Sequence, residues 1–208
     1  MTEEAVRRLI IGAARSLFDR KLTHGSTGNI SVRIGDAILV TPTGSSLGTV
    51  QADELSTIDL DGRTLHGPKP SKEAFLHAAT LRARPQATAV VHTHSTYAAA
   101  VSCLDGLDPA NALPPLTAYF AMRIGRLPLL SYHAPGDDGL EGLAESTARD
   151  NTAFLLANHG PVVAGATLGA AMDAIEELEE TAKLFLLLRG SSTRPLTPDQ
   201  VDRLRPPA

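Results

Sequence analysis

The sequence predicts an α/β fold: a single layered α/β/α domain with a central mixed, mostly antiparallel sheet. Three observations lead there. Short apolar runs early in the chain are joined by tight turns at Gly35-Asp36 and Asp61-Gly62, the signature of antiparallel hairpins. Stripes with helical periodicity are interleaved with strand-like runs from end to end. Two further apolar runs, Ala87 to Val91 and Ala153 to Ala157, are short enough to be buried strands, and each leads into histidine. With 208 residues the chain can bury a substantial core, so one domain over 1–208 is expected, with a core of about 5–190 and a tail at 190–208.

In chain order, residues 3–20 place Val6, Leu9, Ile10, Ala13, Leu17 and Phe18 on one stripe and predict an amphipathic helix. A turn-rich loop, His24-Gly-Ser-Thr-Gly-Asn29, precedes strands at 30–33 and 37–40, and a second Gly/Ser/Thr loop spans Thr41 to Gly48. Strands at 55–60 and 63–65 flank Asp61-Gly62. A helix opens in Pro70-Ser-Lys-Glu73, with Ser71 as N-cap, and runs to about Arg84. His77 follows Glu73 by four residues, and an i,i+4 pair between them is the expectation. Helices are expected at 97–104, around 116–124, at 138–149 and at 168–188, and strands at 127–131 and 161–164. The Glu176-Glu-Leu-Glu-Glu180 cluster reads as a solvated face, and Pro198–Leu204 as a short helix in the tail.

The chemistry concentrates at His92-Thr-His94, read with Asn158-His159-Gly160. Side chains alternate along a strand, so His92 and His94 point to the same side. Three imidazoles at the ends of two buried strands form a plausible divalent-metal site, most naturally for Zn2+, with Mn2+ or Co2+ also able to serve. The two small-residue loops, at Gly28-Asn29 and Thr43-Gly44, and the helix start at Ser71 could each cradle an anion through backbone N–H groups.

Composition is that of an ordinary globular protein: 43% hydrophobic, 20% charged, net charge −4. The sequence has no basic run to suggest nucleic acid, and no apolar run near the ~20 residues a membrane span needs. Met1-Thr-Glu-Glu does not read as a signal peptide. A single cysteine, Cys103, excludes an internal disulfide and a cysteine-based zinc site, and its apolar neighbours predict a small buried side chain. A reducing cytoplasm fits these features.

The ordered set Gly28-Asn29, Thr43-Gly44, Ser71-Lys72-Glu73, His92-x-His94 and Asn158-His159-Gly160 closely resembles the class II aldolase/adducin family over roughly residues 5–190. The resemblance implies that His92, His94 and His159 bind zinc and that Glu73 is a metal ligand at rest and an acid/base in turnover. It implies a substrate-phosphate site at Gly28, Asn29, Thr43, Gly44, Ser71 and Lys72, though Lys72 stands where the family often has Ser. It further implies a proton-donating tyrosine, Tyr119, acting across a subunit interface, and a homotetramer. Further stretches, among them Thr43-Gly-Ser-Ser-Leu-Gly48, Ser102-Cys-Leu-Asp-Gly-Leu-Asp-Pro109 and Leu155-Leu-Ala-Asn-His-Gly-Pro-Val162, resemble the branch that decarboxylates 3-oxo-tetronate 4-phosphate. That branch implies a small phosphorylated four-carbon sugar acid as substrate, with loss of CO2 through a zinc-stabilised enediolate. A sugar-phosphate aldolase or epimerase is the alternative, and a non-enzymatic adducin-like binding module ranks last because all four metal-site residues are present.

Overall fold

In the computed structural model, which describes residues 1–204, eight strands form one sheet. They are β1 (Asn29–Ile34), β2 (Ala37–Val40), β3 (Ser56–Asp59), β4 (Thr64–His66), β5 (Ala89–His92), β6 (Leu129–Leu130), β7 (Ala153–Leu156) and β8 (Gly160–Gly165). Their spatial order is β4-β3-β2-β1-β5-β8-β7-β6. All neighbours are antiparallel except β6 and β7, which run parallel, so the sheet is mixed and mostly antiparallel as expected.

Strands β5, β7 and β8 are apolar on both faces, and their alternate residues feed two cores. Val91 of β5, Leu155 of β7 and Val163 of β8 face one; their neighbours Val90, Phe154 and Val162 face the other. Helices α1 (Glu3–Asp19), α3 (Thr96–Ser102), α4 (Ala118–Arg123) and α6 (Leu168–Leu187) cover the first face. Helices α2 (Ala74–Ala83) and α5 (Leu140–Asp150) cover the second. The result is three layers. A short α7 (Pro198–Asp202) closes the described chain with a Thr197/Gln200 capping box. The last four residues of the predicted tail lie outside the described residues.

Local chemistry accounts for the main helices. In α1, Val6, Ile10, Ala14 and Leu17 are buried at i, i+4, i+8 and i+11, Thr2 caps the N-terminus, and Glu3 and Glu4 sit at the positive end of the dipole. Fully burying a side chain such as Leu17 stabilises by roughly 1.5–3 kcal/mol. The buried stripe is rotated from the expected one, and Leu9 is half exposed. Helix α6 buries Ala171, Ala174, Ile175, Leu178 and Ala182. No helix of the described residues is long and apolar enough to cross a membrane.

Three local expectations are corrected. Helix α2 starts at Ala74, and Ser71 precedes its N-cap, Glu73; the Ser71 Oγ instead accepts the Glu73 N–H at 3.3 Å, a local turn of the kind serine favours. Cys103 is exposed, because α3 ends at Ser102 and the chain leaves the core there. The acidic cluster on α6 is not uniformly solvated. Glu179 is buried, and its two carboxylate oxygens accept the backbone N–H groups of Tyr97 and Ala98 at 2.9 and 2.8 Å. Ser95, the N-cap of α3, makes no side-chain capping bond, so Glu179 supplies the cap from a distant helix.

Candidate metal centre

Strand pairing assembles the site. Asn29 of β1 lies opposite His92 of β5, and His92 lies opposite Val162 of β8. His94 follows β5 by two residues, and His159 sits in the turn between β7 and β8. In that turn Asn158 adopts φ 55, a left-handed conformation that asparagine tolerates. Its backbone N–H bonds to the Ser102 carbonyl at 3.0 Å, and the His159 N–H bonds to the Ser102 hydroxyl at 3.1 Å, so the end of α3 holds the turn in place. Gly160 completes it. A Cβ there would lie 2.2 Å from the carbonyl oxygen of Thr93, the residue between His92 and His94.

The ligand atoms of Glu73, His92, His94 and His159 all lie within 4.8 Å of one another. The His94 Nε2 is 3.0 Å from the His92 Nε2 and 2.9 Å from the His159 Nε2. Glu73 reaches the same point, with one oxygen 3.1 Å from the His159 Nε2 and the other 3.3 Å from the His92 Nε2. The Nδ1–H of His92 donates to the Pro161 carbonyl at 2.9 Å, which leaves its Nε2 a bare lone pair aimed at the other two rings. Tetrahedral zinc with imidazole ligands at 2.0–2.1 Å requires nitrogens about 3.3 Å apart, so this donor set fits a divalent cation. His92, His94, His159 and Glu73 could together hold one.

The electrostatics agree. Burial pushes the His92 imidazole down, and burial with repulsion from His92 and His159 takes His94 down to about 3. Both rings are therefore neutral, as metal ligands must be. Burial alone would push the Glu73 carboxyl up, but His92, His159 and the Asn29 amide outweigh it and hold the group well below the usual carboxylate range.

A cavity of about 220 Å³ opens on this cluster, lined among others by Gly28, Asn29, Thr43, Gly44, Ser71, Lys72, Glu73, His94 and His159. Every residue the sequence proposed for anion binding is in that wall. The reason is backbone pairing. Pro42 and Pro70 form a β-bridge, the Thr43 N–H donates to Lys69 at 3.0 Å, and the Ser71 N–H donates to Thr41 at 3.1 Å. Gly28 needs its lack of a side chain: its φ is +78, and a Cβ would lie 2.9 Å from the His92 carbonyl oxygen. Lys72 is exposed at the wall, and no side-chain bond to it exists among the described residues.

Tyr119 is elsewhere. It is 61% exposed on α4, stacks with the Arg123 guanidinium at 5.5 Å, and does not line the cavity of its own chain. Asn29 is more committed than its loop implied: its amide donates to Ser71 Oγ at 3.0 Å and to Glu73 Oε2 at 2.8 Å. His77 does not pair with Glu73. It is buried, bonded to Ser31 at 2.7 Å and closely to the Asn29 side-chain oxygen, so Asn29 stands between it and the carboxylate.

Comparison with known proteins finds relatives over nearly the whole chain. The model of the class II aldolase and adducin N-terminal domain matches residues 8–186. The chain is 48% identical to 3-oxo-tetronate 4-phosphate decarboxylase of Haemophilus influenzae over 98% of both chains. It is 40% identical to L-fuculose phosphate aldolase of Methanocaldococcus jannaschii over 87% of this chain and 96% of that one. Among solved structures it resembles YgbL of Klebsiella pneumoniae, with a TM-score of 0.96 and 45% identity, covering 99% of this chain and 100% of that one.

Proposed function

The chain belongs to the class II aldolase and adducin family, and from that premise we propose that it is a metal-dependent carboxy-lyase converting 3-oxo-tetronate 4-phosphate to dihydroxyacetone phosphate and CO2. The observation that carries the reading is the near-full-length 48% identity to a decarboxylase of that substrate, joined to a Glu/His3 cluster at the base of a cavity walled by small residues.

Loss of CO2 from the β-keto acid leaves an electron pair on C2, and that pair passes into the 3-oxo carbonyl to give an enediolate. A divalent cation held by His92, His94, His159 and Glu73 supplies Lewis-acid stabilisation of that charge when bound. Zinc suits the three-imidazole set best, with manganese or cobalt as substitutes. The backbone at Gly28 and Thr43-Gly44, with the Ser71 hydroxyl and the Lys72 ammonium, binds the 4-phosphate and fixes the orientation of the reacting carbons. Asn29 orients Glu73. Protonation at C2 completes the reaction, and the groups assigned to it are Glu73 and Tyr119. Glu73 is ionised in this structure, which suits a resting ligand; as an acid it must first take up a proton. Tyr119, exposed on α4, serves the cavity of a neighbouring subunit in a homotetramer. The reading includes a cytoplasmic location, supported by the single exposed cysteine.

The 40% identity to an L-fuculose phosphate aldolase keeps one second reading. An aldolase generates the same enediolate by expelling an aldehyde. The deciding experiment supplies zinc-loaded protein with synthetic 3-oxo-tetronate 4-phosphate and, separately, with fuculose 1-phosphate, beside a His92→Ala control. Stoichiometric CO2 from the first substrate alone, absent in the control, is the expected result. Aldehyde release from the second without CO2 from the first would move the chain to the aldolase reading.

A further inference from the structure

His77 lies beneath the cavity floor, with no exposed surface and no place in the cation cluster. Its two ring nitrogens are both engaged, Nδ1 with Ser31 Oγ at 2.7 Å and Nε2 with the Asn29 side-chain oxygen. The proton positions follow from the far end of the chain of bonds. The Asn29 amide nitrogen stands 2.8 Å from Glu73 Oε2 and donates to it. The second amide hydrogen goes to Ser71. The Asn29 oxygen is then the group facing His77, and as an acceptor it requires the ring proton on Nε2. The Nδ1 is left as a lone pair, which the Ser31 hydroxyl satisfies.

We propose that His77 is a positioning residue: as its Nε2–H tautomer it locks the Asn29 amide so that both amide hydrogens face the cavity, and so sets the direction of the Glu73 carboxylate. The inference rests on the reading of Glu73 as the acid/base group. Without the ring donor, the Asn29 oxygen loses its partner and the amide can tilt away from the geometry in which it meets Ser71 and Glu73 together. The Glu73 carboxylate would then lose its fixed direction toward the reacting carbon. Burial takes the ring down to about 3, so the lock holds throughout the neutral range.

The test uses the zinc-loaded chain and two variants. His77→Phe keeps the bulk and removes the donor. His77→Gln keeps a donor toward Asn29 and an acceptor toward Ser31. His77→Phe is expected to lower kcat for CO2 release by roughly ten- to a hundredfold, the usual effect of losing a partner one bond behind a site. KM should stay within about twofold and metal content should be unchanged; His77→Gln should recover most of kcat. In an Asn29→Ala background, His77→Phe should cost nothing further, because the residue it acts through is gone. Nitrogen-15 spectra of the unsubstituted chain without metal should show His77 protonated on Nε2, a readout that survives if His77→Phe fails to fold. A proton on Nδ1, an unchanged kcat in folded His77→Phe, or an equal loss in the Asn29→Ala background would each overturn the proposal. Glu73→Gln separates the two readings: full activity there removes the role of Glu73 and leaves the tautomer assignment to be judged by the spectra alone.

Discussion

Glu179 Oε2 accepts the Ala98 backbone N–H at 2.8 Å, from a helix 81 residues further along the chain. With the partner bond to Tyr97, it ties α6 to the first turn of α3, immediately after the His92-x-His94 segment. Glu179→Leu should strand both donors in the interior and cost about 1–3 kcal/mol of stability, while Glu179→Gln should lose less because one acceptor remains. Urea unfolding of the metal-free chains measures this. Equal midpoints for all three would show that the cap carries no stability.

Gly160 should tolerate no side chain. An alanine Cβ would meet the Thr93 carbonyl oxygen at 2.2 Å, and relief can come only by moving the backbone that carries His92 and His94. Gly160→Ala should therefore lower zinc affinity as well as thermal stability. Gly44→Ala is the control, since nothing lies within 4 Å of its would-be Cβ and only its φ of +73 is strained, a cost of roughly 1–2 kcal/mol. Isothermal titration with zinc distinguishes them; unimpaired zinc binding by Gly160→Ala would refute the coupling.

Zinc should stabilise the fold by mass action. At a hundredfold excess over its dissociation constant it should add about 2.7 kcal/mol, and a chelator should remove that increment. In His92→Ala most of the increment should vanish. Thermal melts with and without chelator read it, and a zinc-dependent shift of full size in His92→Ala would place the cation elsewhere.

The metal-free chain should lose stability as pH falls below about 6.5. His77 and His94 have folded-state values near 3, against an ordinary value of 6.5, so between those limits the unfolded chain binds protons that the folded one does not. Stability therefore rises with pH across that window and is fully present above it. Glu73, held low in the folded state, acts in the same direction at the acid end. Unfolding midpoints between pH 7 and 4 should fall steadily, and less steeply in His77→Gln, which removes one of the titrating rings. The same slope in that variant would mean that His77 is already charged in the fold.

Much of the candidate site was legible because the residues the structure gathers there are local in sequence. The His92-x-His94 spacing at the end of β5 brings both rings to one point even though the strand stops at His92, and the hairpin at Asn158-His159-Gly160 announces itself by its residue types. The residues misread are those whose partners come from remote segments. Glu179 sits in a run of acids, and only the fold distinguishes the one that meets two buried N–H groups from its solvated neighbours. His77 has helical spacing to Glu73, but β1 inserts Asn29 between them. Cys103 sits among small apolar residues, yet it lies one position past the end of α3.

His92 ends an interior strand of the sheet, and His94 and His159 lie in the segments that adjoin β5 and β8. Strands β5 and β8 have paired neighbours on both sides, so neither presents a free edge from which the ladder could peel. Segments that open without unfolding the whole molecule are drawn from termini and exposed loops, and these strands are neither. An ion held at their ends cannot be uncovered by fraying of these two strands. Amide hydrogens at Val91 and Val162 should exchange with solvent as slowly as any in the chain, and metal site and fold should share a single lifetime.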